Sequence, residues 1–201
     1  MRVLVTGGAG FIGSHLVDAL VDAGHQVSVV DNLSTGKPSY VNPKARAYTV
    51  DICDRAALAD VFDREQPEIV NHHAAQTSVR HSMASPADDA TTNVVGTVNL
   101  LDLSAANGVE KLIFASTCAV YSEPVHLPMD EDHPIGPKSA YGASKYAAEG
   151  YFRLYSRVHG LPHTIFRYGN VYGPRQSPKG EAGVVAIFMG QMLAKERPTI
   201  F

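Results

Sequence analysis

Short apolar runs alternate along this chain with stretches whose apolar residues recur every three to four positions. Runs of aliphatic and β-branched residues predict β-strands, and the three-to-four spacing predicts amphipathic helices. The predicted strands cover residues 2–6, 26–31, 45–51, 67–75, 109–117 and 162–167. The predicted helices cover residues 11–23, 55–65, 86–107 and 139–159, and the Pro-rich acidic stretch 122–137 predicts a loop. This alternation is typical of an α/β fold, a doubly wound parallel sheet with helices on both faces.

The two ends of the chain give different signals. The amino terminus, "MRVLVTGG", enters the first strand without the apolar segment and cleavage site of a signal peptide, so we expect none. The last residues, Thr199, Ile200 and Phe201, look like the start of another strand. Because termini are usually polar and exposed, we expect a truncated or incomplete polypeptide, with a strand that simply ends the protein as the alternative.

Composition narrows the class of protein. The chain has 201 residues, of which 45% are hydrophobic and 18% charged, which predicts a soluble globular domain. Its net charge is −3 and no basic block stands out, which argues against nucleic acid and anionic membranes as partners. No apolar run is long enough to span a bilayer. Cys53 and Cys118 lie far apart and predict reduced thiols in a cytoplasmic protein.

A glycine-rich loop, "VTGGAGFIGSHL", joins the first strand to the first helix. Gly8, Gly10 and Gly13 fit the spacing G-x-G-x-x-G, whereas Gly7, Gly10 and Gly13 fit G-x-x-G-x-x-G. Such glycines let the backbone approach a pyrophosphate, which then lies at the positive end of the helix. Asp31 ends the second strand, where a carboxylate holds an adenosine ribose and repels a 2′-phosphate. The sequence therefore predicts NAD rather than NADP, with a tight turn that binds nothing as the alternative.

Two further strand ends carry candidate cofactor residues. Asp51 and Ile52 close the third strand, where they could reach an adenine edge, although a solvated aspartate near a helix start fits equally well. The fourth strand ends in "NHHAAQ" (71–76), where Ala74 and Ala75 leave room for a cofactor. The two histidines of this stretch have no ligand set near them in the sequence, so we expect no metal.

The stretch "SAYGASKYAAEGYF" (139–152) carries the candidate acid–base pair. Tyr141 and Lys145 are four positions apart, which places them on one helix face. A lysine charge lowers the pKa of a neighbouring phenol, so we expect Tyr141 to act as a base at neutral pH. Thr117, at the end of the fifth strand, supplies a hydroxyl for the same substrate oxygen. The small residues at 142–144 are expected to leave access for cofactor and substrate.

Several stretches together resemble the extended short-chain dehydrogenase/reductase family over the whole chain, and within it the NAD-dependent UDP-glucose 4-epimerases. The stretches are "VTGGAGFIGSHL", "DNLSTGK", "NHHAAQTSVRHS", "NVVGTVNLLD", "FASTCAVYSEP", "YGASKYAAE" and "FRYGNVYGPRQ". The resemblance implies an NAD-dependent epimerase that inverts C4 of a UDP-sugar (UDP-glucose or UDP-galactose) through a transient 4-keto sugar.

The resemblance also implies roles for individual residues. The implied NAD contacts are Gly7, Gly10, Phe11, Ile12, Asp31, Asn32, Ser34, Gly36, Asp51, Ile52, Ala74, Ala75, Gln76, Asn93, Lys145 and Tyr168. Thr117, Tyr141 and Lys145 form the implied catalytic set, and Thr117 and Tyr141 also bind the sugar. Asn170 is implied to contact the substrate diphosphate, and Arg175 and the segment 181–188 lie toward the nucleotide-sugar site. For Asn170 and Arg175, a loop cap and a surface charge are the alternatives.

The residues after Thr117 bear on the type of reaction. In related dehydratases and decarboxylases an acidic residue tends to follow this position, whereas here "STCAVY" continues with Cys118, Ala119 and Val120. This favours epimerisation over dehydration. Ser122, where the family often has glycine, departs from the pattern in the loop that follows.

The expected domain division is an NAD-binding Rossmann domain at 1–175 and the start of a smaller substrate-binding lobe at 176–201, most of which is missing. Another nucleotide-sugar enzyme, such as a glucuronate epimerase or a dehydratase, and a catalytically idle NAD-binding module are the alternatives. In the family, helices like those at 86–107 and 139–159 form a four-helix interface, so a homodimer is expected. Burial of these helices against the chain's own sheet is the alternative.

Overall fold

The computed structural model of the chain describes residues 1–177 and 183–198. Six parallel strands form a single sheet in the order β3-β2-β1-β4-β5-β6. They are β1 (Arg2–Thr6), β2 (Gln26–Asp31), β3 (Arg46–Thr49), β4 (Ile69–His72), β5 (Lys111–Thr117) and β6 (His163–Tyr168). The order runs outward in both directions from β1 and β4, so the sheet has its topological switch point between these two strands. The predicted doubly wound α/β fold is confirmed.

Seven α-helices accompany the strands in the described part of the chain. They are α1 (Phe11–Asp22), α2 (Arg55–Glu65), α3 (Val79–Ala84), α4 (Pro86–Ala90), α5 (Gly96–Ala106), α6 (Ala140–His159) and α7 (Val184–Leu193). Three of them begin where a polar side chain caps the first turn, and before α3 the capping residue Ser78 accepts a hydrogen bond from His81 N. Asp54 accepts a hydrogen bond from Ala57 N before α2, and Ser139 accepts one from Gly142 N before α6. Each such cap stabilises a helix by about 1 kcal/mol. No described helix is both long and apolar enough to cross a membrane.

The structure differs from the predicted elements at several places. The predicted helix 86–107 is continuous in space, but residues Thr91–Val95 adopt a π-helical turn between α4 and α5. The short helices α3 and α7 were not predicted. The strands predicted at 45–51 and 67–75 are shorter, because β3 is an edge strand paired only with β2 and because the chain leaves β4 after His72. The stretch 122–137 forms a loop, as predicted.

The core lies on both faces of the sheet. On one face, α2, α5 and α6 cover a large cluster that includes Leu4, Phe62, Leu101 and Phe114. On the other face, α1 covers a smaller cluster of valines. Phe114 on β5 stacks on Phe152 of α6 with ring centroids 4.6 Å apart. This packing fixes α6 against β5, and burial of such a ring stabilises the fold by roughly 1.5–3 kcal/mol.

Some expectations fall beyond what the structure describes. The strand start at 199–201 and the first two residues of the 181–188 segment lie outside the described residues. The division between residues 175 and 176, and the expectation that the chain is truncated, stay predictions.

Candidate active site

A cleft of about 910 Å³ opens across the carboxyl ends of the strands, at the switch point of the sheet. All the predicted site residues line it except Gly36 and Asn93. The lining members of that set are Gly7, Gly10, Phe11, Ile12, Asp31, Asn32, Ser34, Asp51, Ile52, Ala74, Ala75, Gln76, Thr117, Tyr141, Lys145, Tyr168, Asn170 and Arg175. Residues that are up to 168 positions apart in the sequence thus meet in a single cleft.

The glycine loop sits under one end of this cleft. Gly7, with φ +71°, approaches β4 so closely that a Cβ there would lie 2.6 Å from Ala74 N. A Cβ on Gly13 would lie 2.2 Å from Gly7 O. Gly8 instead faces the core, where a Cβ would meet Val29 at 2.7 Å. The glycines at 7, 10 and 13 line the cleft, whereas Gly8 does not. Of the two spacings in the sequence, G-x-x-G-x-x-G is therefore the one that faces the cleft.

The first turn of α1 borders the cleft next to this loop. Gly10 is the N-cap residue, and glycine has no side chain with which to cap the turn. Gly10, Phe11 and Ile12 all line the cleft. Free N–H groups and the helix dipole at such a helix start favour an anion, which suits a pyrophosphate.

Asp31 is held in place by the backbone. Its Oδ2 accepts a hydrogen bond from Ala9 N at 3.0 Å, and its Oδ1 accepts one from Leu33 N at 2.9 Å. A Cβ on Gly36 would lie 2.7 Å from Asp31 Oδ1. Gly36 therefore packs beside this carboxylate and is not among the residues that line the cleft, and the cofactor contact that the resemblance implies for it stays a prediction.

A second carboxylate follows at the end of the next strand. Asp51 Oδ1 accepts a hydrogen bond from Cys53 N at 2.8 Å, and Asp51 Oδ2 accepts one from Asn32 Nδ2 at 2.9 Å. The backbone hydrogen bond from Cys53, with a smaller contribution from Asn32, holds the pKa of Asp51 below its usual value. Asn32 Oδ1 in turn accepts a hydrogen bond from Ser34 N at 3.0 Å. These contacts join two of the loops that border the cleft.

Asn93 lies behind the cleft wall, not in it. Its side chain is 2% exposed and bonds only to protein groups that the structure describes. Asn93 Oδ1 accepts a hydrogen bond from Gln76 N at 2.9 Å, and Nδ2 lies within 3.1 Å of Gln76 O, Asp89 Oδ1 and Ser144 Oγ. In this structure the side chain is bonded to Gln76, Asp89 and Ser144, and the contact with NAD that the resemblance implies stays a prediction. The Asn93 side chain connects the loop after β4 with α6.

The predicted catalytic residues converge at the end of β5. Thr117 is the last residue of β5, Tyr141 is the second residue of α6, and Lys145 follows one turn later. The Thr117 hydroxyl accepts a hydrogen bond from Ala119 N at 3.1 Å and lies close enough to the Tyr141 side chain to affect its pKa. A Cβ on Gly142 would lie 2.4 Å from Ala119 O, so this glycine lets α6 approach the turn after β5. The expectation that Gly142 leaves access for ligands is therefore wrong.

The electrostatics of this set differ from the expectation. Burial raises the pKa of Tyr141, and the hydrogen bond from Thr117 only partly offsets that effect. Lys145 is 3% exposed, and burial lowers its pKa to about 7, against the opposing effect of Asp89 and Glu149. Its Nζ lies 4.4 Å from the centroid of the Phe114 ring. In this structure burial outweighs any effect of Lys145 on Tyr141, so the predicted lowering of the Tyr141 pKa is wrong.

The two histidines at the end of β4 have separate roles. His72 is buried, with Nδ1 2.6 Å from Thr6 Oγ1 and Nε2 3.0 Å from Thr97 Oγ1. His73 lines the cleft, and burial followed by the charge of Lys145 lowers its pKa to about 4. Its ring lies 6.1 Å from that of Tyr168 between centroids. His73 is therefore a neutral cleft residue beside Tyr168, to which the sequence analysis gave no role. The sequence does not distinguish it from His72, because only the fold shows which of the two rings lines the cleft.

Arg175 reaches the cleft from the segment that follows β6. Its Nη2 lies 2.6 Å from Asp18 Oδ2 on α1, and its guanidinium lies 5.8 Å from the Tyr40 ring centroid. Lys37 lies 5.2 Å from the same ring. Arg175 therefore lines the glycine-loop end of the cleft while it pairs with Asp18, and its implied substrate contact stays a prediction beside the alternative of a surface charge. Lys37 and Tyr40 line the cleft and were also missed.

Comparisons with known proteins agree with this geometry. The model of the NAD dependent epimerase/dehydratase family matches residues 3–201. The UDP-glucose 4-epimerase of Mycolicibacterium smegmatis is 44% identical over 207 aligned residues, which cover 100% of this chain and 66% of that protein.

Two solved structures of UDP-glucose 4-epimerases are similar to the structure of this chain. That of the UDP-glucose 4-epimerase of Thermotoga maritima with UDP-glucose matches with a TM-score of 0.97 and 49% identity, over 100% of this chain and 66% of that one. That of the Thermus thermophilus UDP-glucose 4-epimerase in complex with NAD matches with a TM-score of 0.94 and 46% identity, over 100% of this chain and 65% of that one. The chain thus spans slightly less than two thirds of the length of these relatives.

Proposed function

The chain belongs to the NAD-dependent epimerase/dehydratase family, and from this membership we propose that it carries the NAD-binding and catalytic part of an isomerase that inverts C4 of a UDP-sugar. The observation that carries the proposal is the convergence of Thr117, Tyr141 and Lys145 in the same cleft as the glycine loop. UDP-glucose and UDP-galactose are the proposed substrates, since the similar proteins include UDP-glucose 4-epimerases.

The cleft fits NAD at three points. Gly7, Gly10 and Gly13 leave this part of the cleft without side chains beside the start of α1, which suits a pyrophosphate, and a side chain at Gly7 or Gly13 would collide with the chain's own backbone. Asp31 presents a carboxylate that can accept hydrogen bonds from ribose hydroxyls and that repels a 2′-phosphate. Ala74 and Ala75 keep the wall of the cleft shallow at the end of β4. NAD, when bound, would take a hydride from the sugar's C4 and return it, and its positive ring would favour the ionised form of Tyr141.

The protein groups would handle the proton. Tyr141 would take the proton of the sugar 4-hydroxyl and later give it back, while Thr117 would hydrogen-bond the same oxygen. Because the pKa of Tyr141 is raised by burial, it needs positive charge nearby to ionise at neutral pH. Lys145, whose pKa is about 7, supplies part of that charge when protonated. Tyr168 and His73 would border the reacting end of the cleft.

The turn after Thr117 supports epimerisation over dehydration. Residues Cys118–Val120 form a single 3₁₀ turn directly after β5. None of these three residues carries a carboxylate, so the turn lacks the acidic residue that would take a second proton in a dehydratase. A dehydratase of the same family, or an epimerase of another nucleotide sugar, is the alternative activity.

The proposal also includes an oligomeric state and a cellular location. We expect a homodimer through α5 and α6 and a cytoplasmic location, with residues 176–201 as the start of a substrate-binding lobe. Tyr151, Leu154 and Val158 project apolar side chains from α6, at 38%, 47% and 62% exposure.

Asn170 would lie toward the substrate diphosphate, since it lines the cleft after β6.

The test is to incubate the purified protein with NAD and a panel of UDP-sugars and to separate the products with mass detection. A new product of unchanged mass from UDP-galactose is expected. A product lighter by one water would replace epimerisation with dehydration. NAD binding without turnover of any sugar would support the idle binding module.

A further inference from the structure

Glu149 lies directly behind the catalytic set, and none of the roles described above uses it. Its side chain is completely buried, at 0% exposure. It is four residues after Lys145 on α6, so both side chains lie on the same face of the helix. A buried carboxylate next to the active site needs a reason, because burial of a charge is costly unless it is fully paired.

All four close contacts of this carboxylate come from charged or polar donors. Glu149 Oε1 accepts hydrogen bonds from Ser116 Oγ at 2.6 Å and from Arg167 Nε at 3.0 Å. Glu149 Oε2 accepts them from Arg167 Nη2 at 2.7 Å and from Arg153 Nη2 at 2.6 Å. The pair with Arg167 is bidentate, which fixes direction as well as distance. Burial raises the pKa of Glu149, but the bonds from Arg167 and Ser116 outweigh it, so the carboxylate is ionised.

The partners of Glu149 are the immediate neighbours of cleft residues. Ser116 precedes Thr117 at the end of β5, and Arg167 precedes Tyr168 at the end of β6. A single side chain on α6 is therefore bonded to two strands, β5 and β6, whose last residues, Thr117 and Tyr168, line the cleft. The Arg167 guanidinium also lies 4.8 Å from the Tyr121 ring centroid, at the end of the turn that follows Thr117.

We propose that Glu149 is a positioning residue whose carboxylate fixes the ends of β5 and β6 against α6 and thereby sets the placement of Thr117 relative to Tyr141 and Lys145. Stability alone is a weak reason for such a residue, since well-packed apolar residues often replace buried ion pairs without loss of stability. The inference rests on the proposed function, because it concerns the geometry of the proposed catalytic set.

The charge of Glu149 has a second, measurable effect. Lys145 faces Asp89 from α4, Glu149 from its own helix, His72 from β4 and His73 directly after that strand. Of these groups, Asp89 and Glu149 raise the pKa of Lys145 against the effect of burial. Loss of the Glu149 charge should therefore lower the pKa of Lys145, which a purely structural substitution would not do.

The experiment compares Glu149→Gln with Arg153→Gln in the whole chain. Glu149→Gln keeps the size of the side chain but removes its charge, and it places an amide opposite Arg167. Arg153→Gln removes another ion pair of the same carboxylate, but one within α6, from an arginine whose side chain is 45% exposed. It is the matched control because it joins no strand to the helix.

Three quantities are measured: NAD affinity by fluorescence titration, the single-turnover rate of NAD reduction by UDP-sugars, and the pKa of Lys145 by NMR of isotope-labelled lysine without NAD. Glu149→Gln should keep NAD affinity within about threefold, lower the reduction rate by about 10- to 100-fold, and lower the pKa of Lys145. Arg153→Gln should keep all three near those of the unsubstituted chain.

An unchanged rate and an unchanged Lys145 pKa in Glu149→Gln would overturn the inference, as would an equal loss in Arg153→Gln. If Glu149→Gln does not fold, Ser116→Ala removes only the bond to β5, and it should lower the reduction rate severalfold with NAD still bound. A normal rate in Ser116→Ala would then overturn the inference. Failure of the unsubstituted chain to bind NAD at all is a different result, since it would overturn the proposed function and this inference together.

Discussion

Arg175 and Asp18 join the segment after β6 to helix α1 across the rim of the cleft, with 2.6 Å between Nη2 and Oδ2. The same segment is held by His15, whose Nε2 lies 2.9 Å from the carbonyl oxygen of Pro174. Both members of the ion pair are partly exposed, at 29% and 30% of the side-chain surface. Exposed ion pairs contribute about 0–1 kcal/mol to stability, so this contact across the rim of the cleft can break at a small cost in free energy.

The first prediction concerns release of NAD through this rim. Arg175→Met and Asp18→Asn should each speed NAD dissociation by up to about fivefold, which corresponds to loss of about 1 kcal/mol. Stopped-flow release of the bound cofactor measures the rate. Asp18 does not line the cleft, so equal effects of both variants indicate the ion pair itself. Weaker UDP-sugar binding in Arg175→Met alone would instead support the substrate contact that the family resemblance implied.

The second prediction tests the acid–base role of Tyr141. Tyr141→Phe removes the hydroxyl that would exchange a proton with the sugar, so the single-turnover rate should fall by about 100- to 10,000-fold. NAD affinity should change little, because the ring remains. Tyr146→Phe on the same helix is the control, since Tyr146 does not line the cleft. A rate near normal in Tyr141→Phe would exclude this phenol as the acid–base group.

The sequence predicts the fold well because strands and helices are repeated local patterns. The ends of the strands also locate most of the cleft, since parallel strands place their carboxyl ends at one edge of the sheet. The sequence does not show contacts that no local pattern contains. Asn93 bonds to Gln76 and Ser144, and Arg175 pairs with Asp18 across 157 positions. The pKa of Tyr141 depends on burial, which becomes visible only when α6 is placed against β5.

The third prediction follows from the pKa of Lys145. Burial lowers that pKa to about 7 in the folded chain, whereas an unfolded lysine has a pKa of about 10.4. Between these values the unfolded state binds more protons, so this lysine makes the free energy of unfolding rise with pH from about 7 to about 10. Each pKa unit of difference is worth about 1.4 kcal/mol.

Lys145→Met should therefore be more stable than the unsubstituted chain at pH 7, and the gap should narrow as the pH approaches 10. Urea unfolding at a series of pH values measures it. Lys111→Met, on the exposed start of β5, is the control and should show no such trend. A constant difference in stability across this pH range would contradict a buried lysine with a lowered pKa.

The fourth prediction concerns the choice of cofactor. Asp31→Asn removes the charge that would repel a 2′-phosphate, so the ratio of NADP to NAD affinity should rise by about tenfold or more. Absolute affinity for NAD should also fall, because the carboxylate orders the loops through Ala9 N and Leu33 N. Titration with both cofactors measures the ratio. Asp22→Asn, at the exposed end of α1, is the control. An unchanged ratio would show that Asp31 acts only on the loop.

The last prediction tests the dimer. Tyr151, Leu154 and Val158 are spaced three and four residues apart, so they form one apolar stripe on the exposed side of α6. A stable dimer buries about 1,200–2,000 Å² in total, and a charge at the centre of such an interface is costly when it is unpaired. Leu154→Arg should therefore convert the dimer to a monomer in light scattering coupled to gel filtration. Leu127→Arg, at a residue 79% exposed in the 122–137 loop, should leave the dimer intact. A dimer that survives Leu154→Arg and dissociates with Leu127→Arg would place the interface at that loop instead of at α6.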